Sequence, residues 1–347
     1  MKLWRRVAWA APPLALLLVY GAQVARRAEL RAPDATPILT DRHGAFLTQL
    51  GHERDVPGVG RMVEYGYWPV APPDRVARAM LALEDRRFHH HPGIDAGAML
   101  RAAWHNLAGT GRRSGASTIV MQVARMQQPG PRHLWAKAVE AGTAVALTWR
   151  YGRAAVLAQY LRLVPYGNGS HGIGHAARYY FDKPAEDLSW AEIALLSAIP
   201  QAPALHNPRH PAGLARAVAR GQRALATLAA QGAIGPEEHA TAMAQLAAIT
   251  LPAPPLRPDA LHLVLRLRGM VERDGIAGLD PADARLRTSL DLRVQARVAG
   301  LAEARLAALQ PVGAQQMAVL VLRRGTREVL ASVGSAGYAA LDRKSVV

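Results

Sequence analysis

An acidic pair followed by three histidines is the first feature whose residue types suit catalysis. Residues 84–95 read EDRRFHHHPGID, and Glu84 lies near the end of a predicted helix over 74–88. A carboxylate there is partly removed from water, which suits a general base. Asp85 would be rotated about 100° from Glu84 on a helix, so the two carboxylates would do different jobs. A solvated pair of surface charges is the alternative interpretation.

The run His89-His90-His91 raises the question of a metal site. Neighbouring histidines diverge on an extended chain, and no paired spacing such as H-E-x-x-H is present. The sequence also contains no cysteine, which excludes thiolate metal sites, disulfides and cysteine nucleophiles. We therefore predict no metal site built from these histidines.

A second group of candidate residues lies at a helix start behind a Gly/Arg-rich loop. In GASTIVMQVARM (115–126), Ser117 is predicted to cap a helix over 118–126 that carries Gln122 and Arg125. Backbone N–H groups at a helix start, together with Arg125 and the loop residues Arg112 and Arg113, suit a phosphate. An ordinary capped helix with solvated arginines is the alternative.

A third group, Arg132, Lys137 and Glu140, falls at the start of the next predicted helix, 132–150. Lys137 and Glu140 are three residues apart and share a helix face. Their alternative interpretation is a structural ion pair.

The net charge indicates an anionic partner. The chain has 347 residues and a formal charge of +16, which suits nucleic acid, an anionic membrane or a phosphorylated substrate. A GC-rich genome, which raises the arginine content of its proteins, is the alternative explanation for much of the excess. The uncharged run 7–25, behind Lys2, Arg5 and Arg6, would reach about 28 Å as a helix, close to the bilayer core. We predict a signal anchor rather than a cleaved signal peptide, which places the rest of the chain outside the cytoplasm and excludes nucleic acid.

The remaining patterns predict a mainly α protein. Hairpin signals occur at 37–50 and at 317–333, and helices are predicted over 96–107, 153–164, 190–198, 213–231 and 236–248. The proline-rich stretch 251–258 is the best domain boundary. The predicted divisions are an anchor (1–25), a linker with a β-hairpin (26–70), a catalytic domain (71–250) and a further fragment (251–347), whose residues 342–347 look foreign.

Five blocks in order carry a family resemblance: EDRRFHHHPGID, GASTIVMQVAR, the KAVE stretch at 137–140, VLAQYLRLVPYGNGSHGIGHAARYYF and LSWAEIALLSAIPQAP. Over about 75–210 the chain resembles glycosyltransferase family 51, the peptidoglycan glycosyltransferases, and especially the bifunctional penicillin-binding proteins of the 1C type. The resemblance implies a lysozyme-like glycosyltransferase domain behind a transmembrane helix, followed by the start of an α/β transpeptidase-like domain. The S-x-x-K and Lys-Thr-Gly blocks of such a domain are not found, so we expect no transpeptidase activity. We expect a truncated sequence, and a naturally monofunctional enzyme is the alternative.

The resemblance also implies roles for individual residues. It assigns catalysis to Glu84, as general base, and to Glu140. It assigns substrate binding to Asp85, Phe88, His91, Arg101, Ser117, Thr118, Gln122, Arg125, Arg132 and Lys137. Three positions depart from the family pattern, namely Ala136 in place of Arg, Thr148 in place of a frequent Glu, and Arg162 in place of Asn.

The implied reaction polymerises lipid II into glycan strands with inversion and releases undecaprenyl diphosphate. The implied cofactor is at most a divalent cation, Mg²⁺ or Mn²⁺, at the diphosphate. The implied partners are lipid II, the growing glycan strand, the membrane and other cell-wall synthesis proteins. The implied location is the bacterial inner membrane, with the catalytic domain on the periplasmic side. A lysozyme-like muramidase and an inactive cell-wall scaffold are the alternatives.

Overall fold

The structure is a computed structural model that describes residues 2–56, 60–69, 71–107, 117–130, 133–252, 261–274 and 285–334. Its helices are α1 (Lys2–Arg27), α2 (Asp74–Glu84), α3 (Ala96–Leu107), α4 (Ile119–Gln127), α5 (Leu134–Leu163), α6 (Ile173–Phe181), α7 (Trp190–Ala198), α8 (Pro211–Ala230), α9 (Pro236–Ala247), α10 (Leu261–Asp274) and α11 (Leu292–Leu309). Its strands are β1 (Ile38–Thr40), β2 (Phe46–Gln49), β3 (His52–Val56), β4 (Gly60–Gly66), β5 (Ser170–His171), β6 (Arg285–Arg287), β7 (Val319–Leu322) and β8 (Val329–Val333). The predicted mainly α character is confirmed.

The chain divides into two compact units, each made of two chain segments. The first unit contains residues 1–33 and 70–251, and the second contains residues 34–69 and 252–347. Residues 34–69, which lie within the predicted linker with a β-hairpin (26–70), thus share a unit with the carboxyl-terminal segment. Most of the proline-rich boundary at 251–258, and the foreign-looking residues 342–347, lie outside the described residues.

The core of the first unit is built around α7. Ile193 and Leu195, about 200° apart around this helix, are both buried, as expected for a helix that is apolar all round. Its start is fixed by a capping box in which the Ser189 side chain and the Glu192 side chain satisfy each other's backbone N–H groups. Helices α2, α8 and α9 pack against α7.

Helix α5 confirms two predicted helices but joins them across a kink. Gly152 has φ 76° and ψ 165°, which are not helical angles. Glycine reaches a positive φ without the steric cost of a Cβ, so it permits the change of direction at this point.

Two predicted helix boundaries are wrong. Helix α2 ends at Glu84 rather than at Phe88, and a short 3₁₀ turn follows at Phe88–His90. Asp85 lies outside the helix because its backbone angles (φ −157°, ψ 73°) are not helical, and its carboxylate accepts the Ile119 N–H at 3.0 Å. At α4 the capping residue is Thr118 rather than Ser117, since the Thr118 hydroxyl accepts the Met121 N–H.

The second unit confirms both predicted hairpins. Strand β1 pairs antiparallel with β2 and parallel with β6, and β7 pairs antiparallel with β8. Leu39, Leu47, Leu50 and Leu290 form a small buried cluster beside the first of these sheets. Residues 38–50 and residues 285–290, which are far apart in the sequence, therefore share one sheet and one buried cluster.

Helix α1 packs against the start of α5. The Tyr20 hydroxyl donates to the Ala138 carbonyl at 3.2 Å, and the Tyr20 ring meets the Trp135 ring edge-on at 5.8 Å. Among the helices that the structure describes, none combines the length and the apolar composition that crossing a bilayer requires.

Candidate active site

Glu84 is the last residue of α2, and its side chain is only 10% exposed. Its Oε1 accepts a hydrogen bond from Arg220 Nη2 on α8 at 2.7 Å. Its Oε2 accepts from Gln122 Nε2 on α4 at 3.3 Å. The predicted partial desolvation of Glu84 is therefore confirmed, and the alternative of a solvated surface pair is excluded.

Two buried tyrosines lie in the electrostatic field of Glu84. Neither the Tyr160 nor the Tyr166 hydroxyl has a hydrogen-bond partner among the described residues. Burial raises the pKa of both phenols well above the ordinary value, and the negative charge of Glu84 raises each pKa further. Both tyrosines therefore stay neutral.

Asp85 is turned away from Glu84 and is buried. Its carboxylate accepts the His91 Nε2–H at 3.0 Å and the Ile119 N–H at 3.0 Å. Because His91 Nδ1 accepts the Gly93 N–H at 3.2 Å, the proton of a neutral His91 lies on Nε2. The two predicted carboxylates thus have separate jobs, and Asp85 joins the end of α2 to the start of α4.

Gly93 makes the closest approach in this loop. Its φ is +112°, and a Cβ would lie 2.5 Å from the Ala144 carbonyl oxygen of α5, so no other residue fits here. The Thr118 hydroxyl donates to the Gly93 carbonyl at 2.6 Å while it caps α4. Arg153 holds the same loop by donating to the Phe88 and His91 carbonyls at 3.2 and 2.9 Å.

An open cleft of about 900 Å³ lies between α4 and the start of α5. Its lining includes Ser117, Arg125, His133, Lys137 and Glu140. The structure therefore brings together four residues that the sequence placed in two separate groups. Ala136 also lines the cleft, so this departure from the family pattern removes a cation from the cleft wall.

The cleft has the chemistry of an anion site. Arg125 and Lys137 are exposed cations, and α5 begins in the cleft with its His133 side chain capping the Ala136 N–H at 3.0 Å. The start of a helix carries a partial positive charge that adds to those of the side chains. Arg132, Arg112 and Arg113 lie outside the described residues.

Gln122 and Arg125 connect the cleft to Glu84. They are three residues apart on α4 and so share one face of the helix. Gln122 contacts Glu84, whereas Arg125 lines the cleft.

Other predicted residues lie further from these groups. Phe88 is buried and meets the His91 ring edge-on, so it packs the loop. Arg101 is exposed on α3. The pKa of Asp95 is lowered, chiefly by the hydrogen bond from the Ala98 N–H and less by Arg87 and Arg101. Contact of Asp85, Phe88, His91, Arg101 and Thr118 with a substrate stays a prediction.

The three consecutive histidines do not form a cluster. His91 is buried against Asp85, while His89 and His90 are exposed. Within the described part of the chain, no group of three or more His, Asp or Glu side chains is arranged to hold a metal ion.

The sequence interpretation missed Arg220, His133 and Arg153. Arg220 lies 136 residues from its partner Glu84, and no local pattern joins them. His133 carried a weak signal, since it directly precedes a predicted helix and a histidine side chain is able to cap one. Arg153 begins a predicted helix (153–164), and no local pattern indicates its contacts with the Phe88 and His91 carbonyls.

A known family matches the part of the chain that holds this site. Residues 68–229 match the transglycosylase family, and this range contains Glu84, Arg220 and the cleft. Just under half of the chain is therefore similar to the transglycosylase family.

The closer similarity is to penicillin-binding proteins. The chain is 31% identical to penicillin-binding protein 1C of Escherichia coli over 330 residues, which are 94% of this chain and 40% of that protein. It is 31% identical to penicillin-binding protein 1A of Streptococcus oralis over 66% of this chain and 35% of the relative. The predicted similarity to the 1C type is thus confirmed, and the chain spans at most 40% of the length of either relative.

A solved structure gives a looser match. The crystal structure of penicillin-binding protein 1A from Haemophilus influenzae matches 85% of this chain and 33% of its own, at 17% identity and a TM-score of 0.36.

Proposed function

We propose that this chain is a peptidoglycan glycosyltransferase that polymerises lipid II into glycan strands. The observation that carries the proposal is the pairing of one buried, cation-bound carboxylate, Glu84, with a cationic cleft reached along the same face of α4. A glycosyl diphosphate already has a good leaving group, so its transfer needs one base and a site for the diphosphate charge.

In the proposed reaction Glu84 accepts the proton of the 4-hydroxyl of the N-acetylglucosamine of lipid II. The hydroxyl oxygen then forms a bond to the anomeric carbon of the N-acetylmuramic acid that ends the growing strand. The bond from that carbon to the diphosphate oxygen breaks, the configuration inverts, and undecaprenyl diphosphate leaves. The protonated Glu84 returns its proton to solvent before the next addition.

The cleft would bind the diphosphate as it gains charge. Arg125 and Lys137 approach it from two helices, and the start of α5 adds backbone N–H groups. Preorganised cations of this kind stabilise charge in the transition state without reorganising solvent.

We propose Glu140 as the residue that would hold a divalent cation at the diphosphate. Mg²⁺ binds through one or two carboxylates together with substrate phosphate oxygens, and Glu140 is the carboxylate among the cleft-lining residues named above. The cation would neutralise diphosphate charge. Loss of rate on adding EDTA, with recovery on adding Mg²⁺ or Mn²⁺, supports this role, whereas an unchanged rate contradicts it.

We further propose that α1 is the membrane anchor, with the catalytic unit on the periplasmic side of the inner membrane. Its Leu14, Leu16, Leu17, Leu18 and Val19 are half or more exposed, and basic residues lie at both ends. The contact between Tyr20 and Trp135 joins α1 to the cleft wall, so an anchored α1 would hold the cleft near a lipid-linked substrate. Membrane fractions washed with alkaline carbonate should retain the chain, and its release would contradict the anchor.

The substrate test separates the proposal from its two alternatives. Purified full-length chain should convert labelled lipid II into glycan polymer, with moenomycin as inhibitor, and should leave finished peptidoglycan intact. Release of fragments from peptidoglycan without polymer formation would support a muramidase. Inactivity on both substrates would support a scaffold.

A further inference from the structure

Arg220 makes a shorter hydrogen bond to the proposed base than Gln122 does, and it lies outside the five family blocks. We propose that Arg220 is a positioning residue for Glu84: it fixes Oε1, so that Oε2 takes the proton from the acceptor hydroxyl. This inference rests on the proposed function and adds a residue and a choice of oxygen to it.

The two oxygens of Glu84 are held with different strength. Arg220 Nη2 lies 2.7 Å from Oε1, a short, charge-assisted hydrogen bond. Gln122 Nε2 lies 3.3 Å from Oε2, at the long end of the hydrogen-bond range. A substrate hydroxyl can therefore replace the Gln122 contact at Oε2 more easily than it can displace the guanidinium at Oε1.

The side-chain hydrogen bond that the structure gives for the Arg220 guanidinium is the one to Glu84. The Arg220 side chain is 12% exposed, and its Nε has no hydrogen-bond partner among the described residues. Burying an ion pair gives little net stability, because desolvation offsets the attraction. Its benefit here is geometric, since a fixed guanidinium orients one carboxylate oxygen and leaves the other for the reaction.

The same helix supplies matched controls. Arg216 and Arg223 lie on α8 within one turn of Arg220, and both are exposed. Neither belongs to the cleft lining or is hydrogen-bonded to Glu84.

The test compares steady-state polymerisation of lipid II by the full-length wild type and its variants. Arg220→Gln should lower kcat about 10- to 100-fold while KM changes less than about threefold, because the base is misoriented whereas the diphosphate site is intact. Arg220→Lys should recover part of the loss, since it keeps the charge without the planar fork. Arg216→Gln and Arg223→Gln should keep wild-type kcat and KM.

The outcomes separate this inference from the proposed function. A wild type that does not polymerise lipid II contradicts the proposed function. An active wild type with unchanged kcat in Arg220→Gln contradicts the positioning role. If Arg220→Gln does not fold, as judged by circular dichroism, Arg220→Lys decides: a lowered kcat at unchanged KM and a retained thermal transition supports the role, and wild-type kcat contradicts it.

Discussion

The adjacent carboxylates of Glu84 and Asp85 have different hydrogen-bond partners in this site. Glu84 faces Arg220 and Gln122, whereas Asp85 turns inward to His91 and to the start of α4. The division follows from the end of α2 at Glu84, because the non-helical backbone of Asp85 points its side chain in another direction.

Asp85 should therefore matter for stability. Asp85→Ala leaves the buried His91 Nε2–H and Ile119 N–H without an acceptor, so the free energy of unfolding should fall by about 2–4 kcal/mol. Urea denaturation measures the change. Asp187→Ala, at an exposed site, is the control and should stay close to wild type. Equal stability of the two variants would contradict the structural role of Asp85.

For single residues, the sequence predicted several side chains of the candidate site, but it did not predict which side chains they contact. The end of a helix beside an acidic pair predicted a shielded carboxylate at Glu84, and the structure confirms it. The ion pair with Arg220 depends on α2 packing against α8, a tertiary contact that no spacing along the chain encodes.

The start of α4 tests the structure at the scale of an element. Thr118→Ala should lower the free energy of unfolding by about 1–2 kcal/mol, because it removes the cap of the Met121 N–H. Ser117→Ala should change it by less than about 0.5 kcal/mol. Thermal or urea unfolding of both variants decides which residue caps the helix, and a larger loss for Ser117→Ala would contradict the structure.

A buried histidine on α6, His175, should make the free energy of unfolding depend on pH. Burial, with a smaller contribution from His171, lowers the pKa of His175 from its ordinary 6.5 to about 3. The unfolded chain binds a proton at this histidine below about pH 6.5, but the folded chain does not. Stability is therefore lost as the pH falls from 6.5 toward 3, by about 1.4 kcal/mol per pH unit from this group.

His175→Gln removes this contribution. The variant is less stable than wild type at pH 7, and the gap between them should narrow as the pH falls to 5, because only the wild type carries the buried neutral imidazole. Urea denaturation at pH 7, 6 and 5 measures the gap. His90→Gln, at an exposed site, should show a constant difference from wild type. A gap that stays constant for His175→Gln would show that His175 is not held neutral.

The elements were largely predictable because their signals are local. The capping box at Ser189 and Glu192, the apolar periodicity of α3 and α9, and the turn at Asp41–Gly44 each act within a few residues. The choice between Ser117 and Thr118 was not predictable, because both residue types cap helices and the Gly93 carbonyl that accepts the Thr118 hydroxyl comes from another loop.

At the scale of the whole molecule, each unit is assembled from distant parts of the chain. In the second unit, β1 pairs with β6, and the Thr40 hydroxyl donates to the Leu286 carbonyl across 246 positions of sequence. A strand pairing of this range has no signal in a single sequence, so residues 26–70 were predicted to be a linker with a β-hairpin.

Substitution of Leu290 tests whether residues 38–50 and 285–290 share one buried cluster. Leu290→Ala removes a fully buried side chain from the cluster with Leu39, Leu47 and Leu50, at a cost of about 2–5 kcal/mol. Hydrogen exchange should then speed up together at 38–50 and at 285–290. Leu322→Ala, at a side chain that is 51% exposed, should leave both segments protected. Faster exchange at 285–290 alone would contradict a shared core.

The most direct test of the account is the rate of lipid II polymerisation by Glu84→Gln, measured with purified full-length chain in detergent beside the exposed control Glu237→Gln. Glutamine keeps the shape of the side chain but cannot accept the proton, so kcat should fall at least about 100-fold. Glu237→Gln should polymerise like the wild type. Polymerisation by Glu84→Gln at the wild-type rate would contradict the assignment of Glu84 as the general base.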